Sequence, residues 1–179
     1  RAVEAFEAAR QIVSDAAVHL ALYRAYREQQ DMEQAEQALV DYLRSGGSDP
    51  RIRAALSDLL IEESRWEEAE NILNELIEEF RDSVPFLNNA AYVQLQRGNM
   101  QRAESLARRA VALAPENPLV NDSLGWILVS SGDAAGGIGY LREAVVRASD
   151  NSEIRYHLAR ALYELDRDSE ALVEVQRAL

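Results

Sequence analysis

The sequence predicts an all-α fold, a right-handed solenoid of about five helix-turn-helix repeats with one helix in front of them. Three observations predict it. Small and large apolar residues return at a fixed offset of 34 residues along the chain. Within each unit the apolar residues follow the three-and-four spacing of amphipathic helices. The composition favours helix, because alanine is abundant, aromatic residues make up 7% and threonine is absent.

The repeat consists of columns of equivalent residues that no insertion or deletion disturbs. One column is always alanine or glycine, which allows two antiparallel helices to approach closely. Neighbouring columns are mostly large and apolar and fill the space against the next hairpin. A single hairpin cannot bury its apolar face, so the hairpins are expected to stack into a superhelix. The small column is Ala35, Ala69, Ala103, Gly137 and Ala171, and one large column is Leu22, Leu56, Ala90, Leu124 and Leu158.

Breaks in the helical spacing mark the turns. Those in the middle of a repeat carry turn and capping residues, such as Gly98-Asn99 and Gly132-Asp133. Ser64 with Glu67 also fits a capping box. We expect one domain over 1–179, taken from a longer protein because it starts without methionine inside helix-like sequence. A partial repeat is expected at 1–15, and repeats are expected at 16–49, 50–83, 84–117, 118–151 and 152–179.

Charge and composition exclude several kinds of partner. The net charge is −12 and the pI is near 4.6, so the chain is expected to repel nucleic acid and anionic membrane surfaces. No apolar run reaches the ~20 residues that a membrane helix needs, so this chain is not expected to insert into a bilayer. Cysteine is absent, which excludes disulfides and thiolate chemistry but does not choose a compartment.

No catalytic, cofactor-binding or metal-binding site is expected. Every basic residue other than histidine is arginine, which excludes a phosphate-loop or Schiff-base lysine. The histidines, His19 and His157, lie in different repeats, and Glu153 with His157 would supply only two metal ligands. The glycines around Gly137 lack the strand and lysine of a phosphate loop and are expected to mark a close helix contact.

This pattern resembles the tetratricopeptide repeat (TPR) family over essentially the whole chain. The two repeats most similar to it are the third, with Gly98, Ala103, Ala110 and Pro115, and the fourth, with Leu124-Gly125, Gly132-Asp133, Leu141 and Ala144. Gly137 is one departure. The resemblance implies that the first helix of each repeat lines a groove that binds a protein or peptide. The basic residues of a carboxylate clamp are mostly missing at the matching positions. The groove residues that the resemblance implies are Arg24, Arg27, Asp58, Asn88, Asn89, Tyr92, Asp122, Trp126, Tyr156, His157, Arg160 and Tyr163.

The aromatic and amide side chains of the C-terminal repeats suit a peptide platform. The alternative is that Tyr92 and Trp126 pack between adjacent helices. The segments Asp122-Ser123-Leu124-Gly125-Trp126 and Ile154-Arg155-Tyr156-His157 also resemble the TPR lipoproteins of exosortase (PEP-CTERM, PrsT-like) exopolysaccharide systems. That resemblance implies a bacterial cell-envelope scaffold whose membrane-anchored parent lies in the periplasm. The alternative is a TPR targeting or regulatory module of a larger cytoplasmic protein with a separate catalytic domain.

Self-association is a further expectation. The last repeat ends without an extra polar helix, so its apolar residues are expected to meet solvent or another copy. A homodimer or an end-to-end assembly would then cover Leu172, Val175 and Leu179.

Overall fold

The structure is a computed structural model that describes residues 2–10 and 15–179. Within those residues it contains eleven α-helices and no β-strand, so the predicted all-α class is confirmed. Part of the partial repeat expected at 1–15 lies outside the described residues. The helices are α1 (Ala2–Arg10), α2 (Ala16–Glu28), α3 (Met32–Arg44), α4 (Pro50–Glu62), α5 (Trp66–Glu79), α6 (Val84–Gln96), α7 (Met100–Leu113), α8 (Pro118–Ser130), α9 (Ala134–Arg147), α10 (Ser152–Glu164) and α11 (Asp168–Ala178).

The helices after α1 pair in chain order into five helical hairpins, from α2 with α3 to α10 with α11. The chain divides into two compact units. The N-terminal unit, Arg1–Glu79, contains α1 to α5. The C-terminal unit, Phe80–Leu179, contains α6 to α11. Each unit has its own buried side chains, so each is described separately.

Polar side chains fix where many of the helices begin. A helix leaves its first backbone N–H groups without partners, and an Asp or Asn oxygen before the helix accepts from them. Proline stands in the first turn of α4, α6 and α8, where no backbone donor is needed. The side chains that cap in this way are Asp15, Asp31, Asp49, Asn117, Asp133 and Asn151.

All five hairpins close with the same turn. The second residue after the first helix has a left-handed backbone, and the residue that follows it donates its N–H to the carbonyl five positions earlier. In the third hairpin this bond runs from the Asn99 nitrogen to the Gln94 oxygen at 2.9 Å. Such a bond satisfies a carbonyl that the helix end leaves open. The left-handed residues are Gln30, Ser64, Gly98, Gly132 and Asp166.

This turn corrects one expectation. Ser64 is not the N-cap of α5, because its φ of 59° places it in the left-handed region. The Arg65 carbonyl accepts the first bond of α5, from the Ala69 nitrogen. The predicted capping box of Ser64 with Glu67 is therefore wrong. Ser64 belongs to the turn that ends α4, and the N-cap position of α5 is the next residue, Arg65.

Exchanging the residues at this turn is expected to change stability in opposite directions. Serine pays a steric cost in the left-handed region that glycine does not. Ser64→Gly is expected to raise the free energy of unfolding by about 0.5–1 kcal/mol, and Gly98→Ser to lower it by about the same amount. Urea titrations followed by circular dichroism measure both. If both substitutions changed the free energy of unfolding by equal amounts of the same sign, backbone strain at Ser64 would be contradicted.

The small column lies where the two helices of each hairpin touch, and its members are buried. In the fourth hairpin the helices meet through two glycines. A methyl group on Gly137 would lie 2.5 Å from the backbone oxygen of Gly125, and one on Gly125 would lie 2.6 Å from Cγ of Leu141. Glycine at this place in the column therefore allows α8 and α9 to approach more closely than alanine would.

Candidate functional site

Three helices of the C-terminal unit lie side by side: α6, α8 and α10, the first helices of successive hairpins. Caps fix the start of two of them, because Asn117 accepts from the Leu119 nitrogen at 2.9 Å and Asn151 from the Glu153 nitrogen at 3.0 Å. The three helices enclose a cavity of about 300 Å³. It is lined by Asn88, Tyr92, Leu95, Gln96, Leu119, Asp122, Ser123, Trp126, Ile127, Glu153 and His157.

A buried polar contact joins α8 to α10 at this cavity. His157 Nδ1 lies 2.9 and 3.0 Å from the two carboxylate oxygens of Asp122, and both side chains are 12% exposed. A carboxylate only accepts hydrogen bonds, so the imidazole carries its proton on Nδ1 and donates it. This contact fixes the orientation of the imidazole ring, and its other nitrogen, Nε2, does not contact Asp122.

Trp126 covers one face of that imidazole. The two rings stack with their centroids 4.3 Å apart and their planes 15° apart, and Tyr156 approaches both rings at a tilt. The indole also packs against the buried apolar cluster that includes Val129 and Leu158. Trp126 therefore packs between helices and also forms part of the cavity wall, and its role in binding a peptide stays a prediction.

Tyr92 and Asn88 stand one helical turn apart on α6 and face the same cavity. Tyr92 is 40% exposed, so part of its side chain is open to solvent. The Oδ1 atom of Asn88 is buried and accepts no hydrogen bond from any described residue. This acceptor is therefore unsatisfied, and solvent does not reach it.

Three other residues expected in the groove line a different cavity of about 370 Å³, between α10 and α11. They are Tyr156, Arg160 and Tyr163, together with Leu172 and Val175 of α11. Hydrogen bonding to Glu164 raises the pKa of the Arg160 guanidinium above its usual value. Leu172, Val175 and Leu179 are exposed, and self-association through them stays a prediction.

The remaining expected residues lie apart from this cavity. Arg27 in the N-terminal unit pairs with Glu62 at 2.9 Å and donates to the Tyr23 hydroxyl at 3.1 Å, so it links α2 to α4. Arg24 and Asp58 are exposed on the same two helices. Asn89 is half-buried on α6 and does not line the cavity that Asn88 lines.

Sequence reasoning missed several members of the wall. Leu95 and Ile127 form apolar parts of it, Leu119 stands at the start of α8, and Glu153 stands on the first turn of α10. A signal for some of them was present, because residues four apart on one helix share a face. Ile127 follows Ser123 at that spacing, and Glu153 precedes His157.

Two further observations concern ions and membranes. The side chains described for this chain include no group of three or more His, Asp or Glu residues that could hold a metal ion. None of the helices within residues 2–10 and 15–179 has the length and hydrophobicity to span a bilayer.

Helical hairpins of this length, closed by a shared turn and packed through a column of small residues, define a class of helical repeat protein. The chain belongs to the tetratricopeptide repeat family, whose model matches residues 2–179. The predicted TPR fold is thereby confirmed. The family is one of scaffolds that bind proteins or peptides and is generally non-catalytic.

Individual relatives are more distant. The chain is 29% identical over 160 residues to the TPR repeat-containing protein PA4667 of Pseudomonas aeruginosa, covering 88% of this chain and 27% of that protein. MamA from Desulfovibrio magneticus RS-1 is 16% identical, with a TM-score of 0.77 over 91% of this chain and 92% of that one. YrrB, described as a TPR protein with an unusual peptide-binding site, is 15% identical, with a TM-score of 0.73 over 99% and 92%. These structures show the shared fold.

Proposed function

We propose that this chain binds an extended segment of a partner protein in the cavity between α6, α8 and α10. The observation that carries the proposal is the exposed Tyr92 ring beside the stacked Trp126 and His157 rings. Aromatic side chains give a large contact area with little loss of side-chain entropy, and they are enriched among the residues that dominate protein interfaces.

Polar groups around these rings suit a peptide backbone. An extended peptide offers N–H and C=O groups that must be paired when its side chains are buried. Amide side chains can both donate and accept, and Asn88 and Gln96 stand on the cavity wall of α6. The contact between Asp122 and His157 holds the opposite wall in place before a ligand binds. A preformed wall lowers the entropic cost of binding.

A bacterial cell-envelope assembly is the setting that we propose for the partner. The support is the resemblance of the segments at 122–126 and 154–157 to TPR lipoproteins of exopolysaccharide systems. The alternative is a TPR module in a larger cytoplasmic protein. The full sequence of the parent separates them, because a signal peptide that ends in a lipobox cysteine supports the envelope and an adjoining catalytic domain supports the module.

Truncating Tyr92 tests the binding surface. Linear peptides selected against the wild-type chain from a random display library provide the ligand, and fluorescence anisotropy gives its Kd. Tyr92→Ala is expected to weaken binding about tenfold, as for an aromatic residue at the centre of an interface. The matched control is Tyr163→Ala, which removes a more exposed tyrosine from the other cavity of the same unit.

The control is expected to change the Kd less than about twofold, because residues at the edge of an interface contribute little. Circular dichroism checks that both variants keep the helix content of the wild type. Equal effects of the two variants, or a loss caused by Tyr163→Ala alone, would move the binding surface away from this cavity.

A further inference from the structure

We propose that the cavity between α6, α8 and α10 takes an arginine side chain of the partner segment. The proposal rests on the proposed function and specifies the chemistry of the partner at that site. It follows from the charge of the lining, from its aromatic rings and from the acceptor oxygens of Gln96 and Glu153.

The lining carries a net negative charge. Asp122 and Glu153 both contribute carboxylates, and no arginine is found among the described residues of the wall. His157 is the one basic side chain there. A neutral imidazole leaves both carboxylates uncompensated, and a protonated one compensates Asp122 and leaves Glu153. In either state the cavity attracts a cation and repels a carboxylate.

The nearest arginines on α10 are held outside the cavity. Arg155 donates to Glu174 on α11 and to the Ser149 backbone oxygen, and both partners of the Arg155–Glu174 pair are nearly buried. Arg160 pairs with Glu164 one turn further along α10. These contacts engage both arginines away from Glu153, so neither of them compensates its carboxylate.

The rings favour a planar cation. A guanidinium stacks on an aromatic face, and Tyr92 presents an exposed ring to the cavity. Trp126 adds a second ring, whose stacking on His157 holds its orientation. An aliphatic side chain would also contact these rings, but it would cover the Glu153 carboxylate without pairing it, which costs free energy.

Hydrogen bonding separates arginine from other cations. Gln96 on α6 and Glu153 on α10 bring acceptor oxygens to the cavity lining. A guanidinium has five N–H donors in a fixed plane, whereas an ammonium is a compact group with three. The cavity volume of about 300 Å³ is at the small end for ligand sites, which suits one long side chain.

The test uses single amino acids with blocked ends, so that the side chain is the variable. The wild-type chain, labelled with ¹⁵N, is titrated with N-acetyl-arginine amide and with the matching lysine, leucine and glutamate compounds. The indole N–H signal of Trp126 is expected to shift with the arginine compound, and that of Trp66 on α5 serves as an internal control. Arginine is expected to bind about threefold or more tightly than leucine or glutamate, because it adds a partly screened ion pair and a cation–π contact.

Matched variants assign the effect to the cavity. Glu153→Gln removes a lining carboxylate and is expected to weaken the arginine compound about threefold. Glu116→Gln removes an exposed carboxylate before α8, outside the cavity, and is expected to leave binding unchanged. Lysine, leucine or glutamate binding as tightly as arginine, or equal effects of the two variants, would overturn the proposal.

Failure of this inference is distinguishable from failure of the proposed function. Suppose that peptides lose affinity for Tyr92→Ala but bind the wild type equally well after their arginines are replaced by leucine. The proposed peptide site would then be supported and the arginine inference contradicted. Suppose instead that the Trp126 signal shifts selectively with the arginine compound, but that Tyr92→Ala does not change the Kd of the peptides. The arginine cavity would then be supported, and the proposed peptide site at this cavity would be contradicted.

Discussion

Replacing Gly137 by alanine is expected to lower the free energy of unfolding by about 2 kcal/mol. The new methyl group would meet the Gly125 backbone oxygen at 2.5 Å, and a backbone atom within a helix cannot move aside as a flexible side chain can. Overpacking of this kind costs about 1–3 kcal/mol, which exceeds the helix propensity gained on replacing glycine. Thermal unfolding followed by circular dichroism should show a Tm lower by about 4–8 °C for a chain of this length.

Gly139→Ala is the matched control on the same helix. A methyl group at Gly139 meets no atom within 4 Å, so only the helix propensity changes. This variant is expected to raise the free energy of unfolding by about 0.5–1 kcal/mol. Similar stabilisation by both substitutions would show that α8 and α9 do not depend on the contact between their glycines.

Breaking the pair between Arg155 on α10 and Glu174 on α11 is expected to cost about 2 kcal/mol. The two side chains are 11% and 12% exposed, so either one left alone would keep a poorly hydrated charge. The value is below the full cost for a buried pair because some solvent reaches both groups. Urea unfolding of Arg155→Met, Glu174→Met and the double variant gives the coupling energy.

The double variant is expected to recover part of the loss, since two apolar side chains can replace a buried ion pair. The control cycle uses Arg108 and Glu104, an exposed pair four residues apart on α7. That pair is expected to contribute about 0.5 kcal/mol or less. Additive losses in the first cycle, with no coupling above the control, would show that solvent screens the Arg155–Glu174 pair.

The repeat could be predicted because its physical cause is local and periodic. The column from Ala35 to Ala171 and the breaks at Gly98 and Gly132 report helix contacts and helix ends directly in the sequence. The turns at Ser64 and Asp166 are less visible, since those residues also favour N-caps. At Ser64 that ambiguity led to the wrong capping box.

The site could be predicted only in part. Asn88, Tyr92, Asp122, Trp126 and His157 were expected to share a surface, and they line one cavity. The hydrogen bond between residues 122 and 157 and the stacking of the Trp126 ring on the imidazole depend on how far α10 is rotated against α8. No local pattern encodes that rotation, because it results from packing across the whole unit.

The division of the aromatic residues between two cavities also depends on how the helices pack. The resemblance to the family assigns Tyr156 and Tyr163 to the same groove as Tyr92. In the structure both tyrosines line the cavity beside α11, and Tyr156 also approaches the Trp126 ring. The role of each in partner binding stays a prediction.

The shared hairpin turn has a consequence for how such proteins change length. Its closing bond joins two main-chain atoms, so most side chains at the junction are free to vary without reopening it. A gene duplication or excision that copies or removes a whole number of 34-residue units would join ends that are already compatible. Arrays of different reach can thus arise from the same module without a new junction having to evolve.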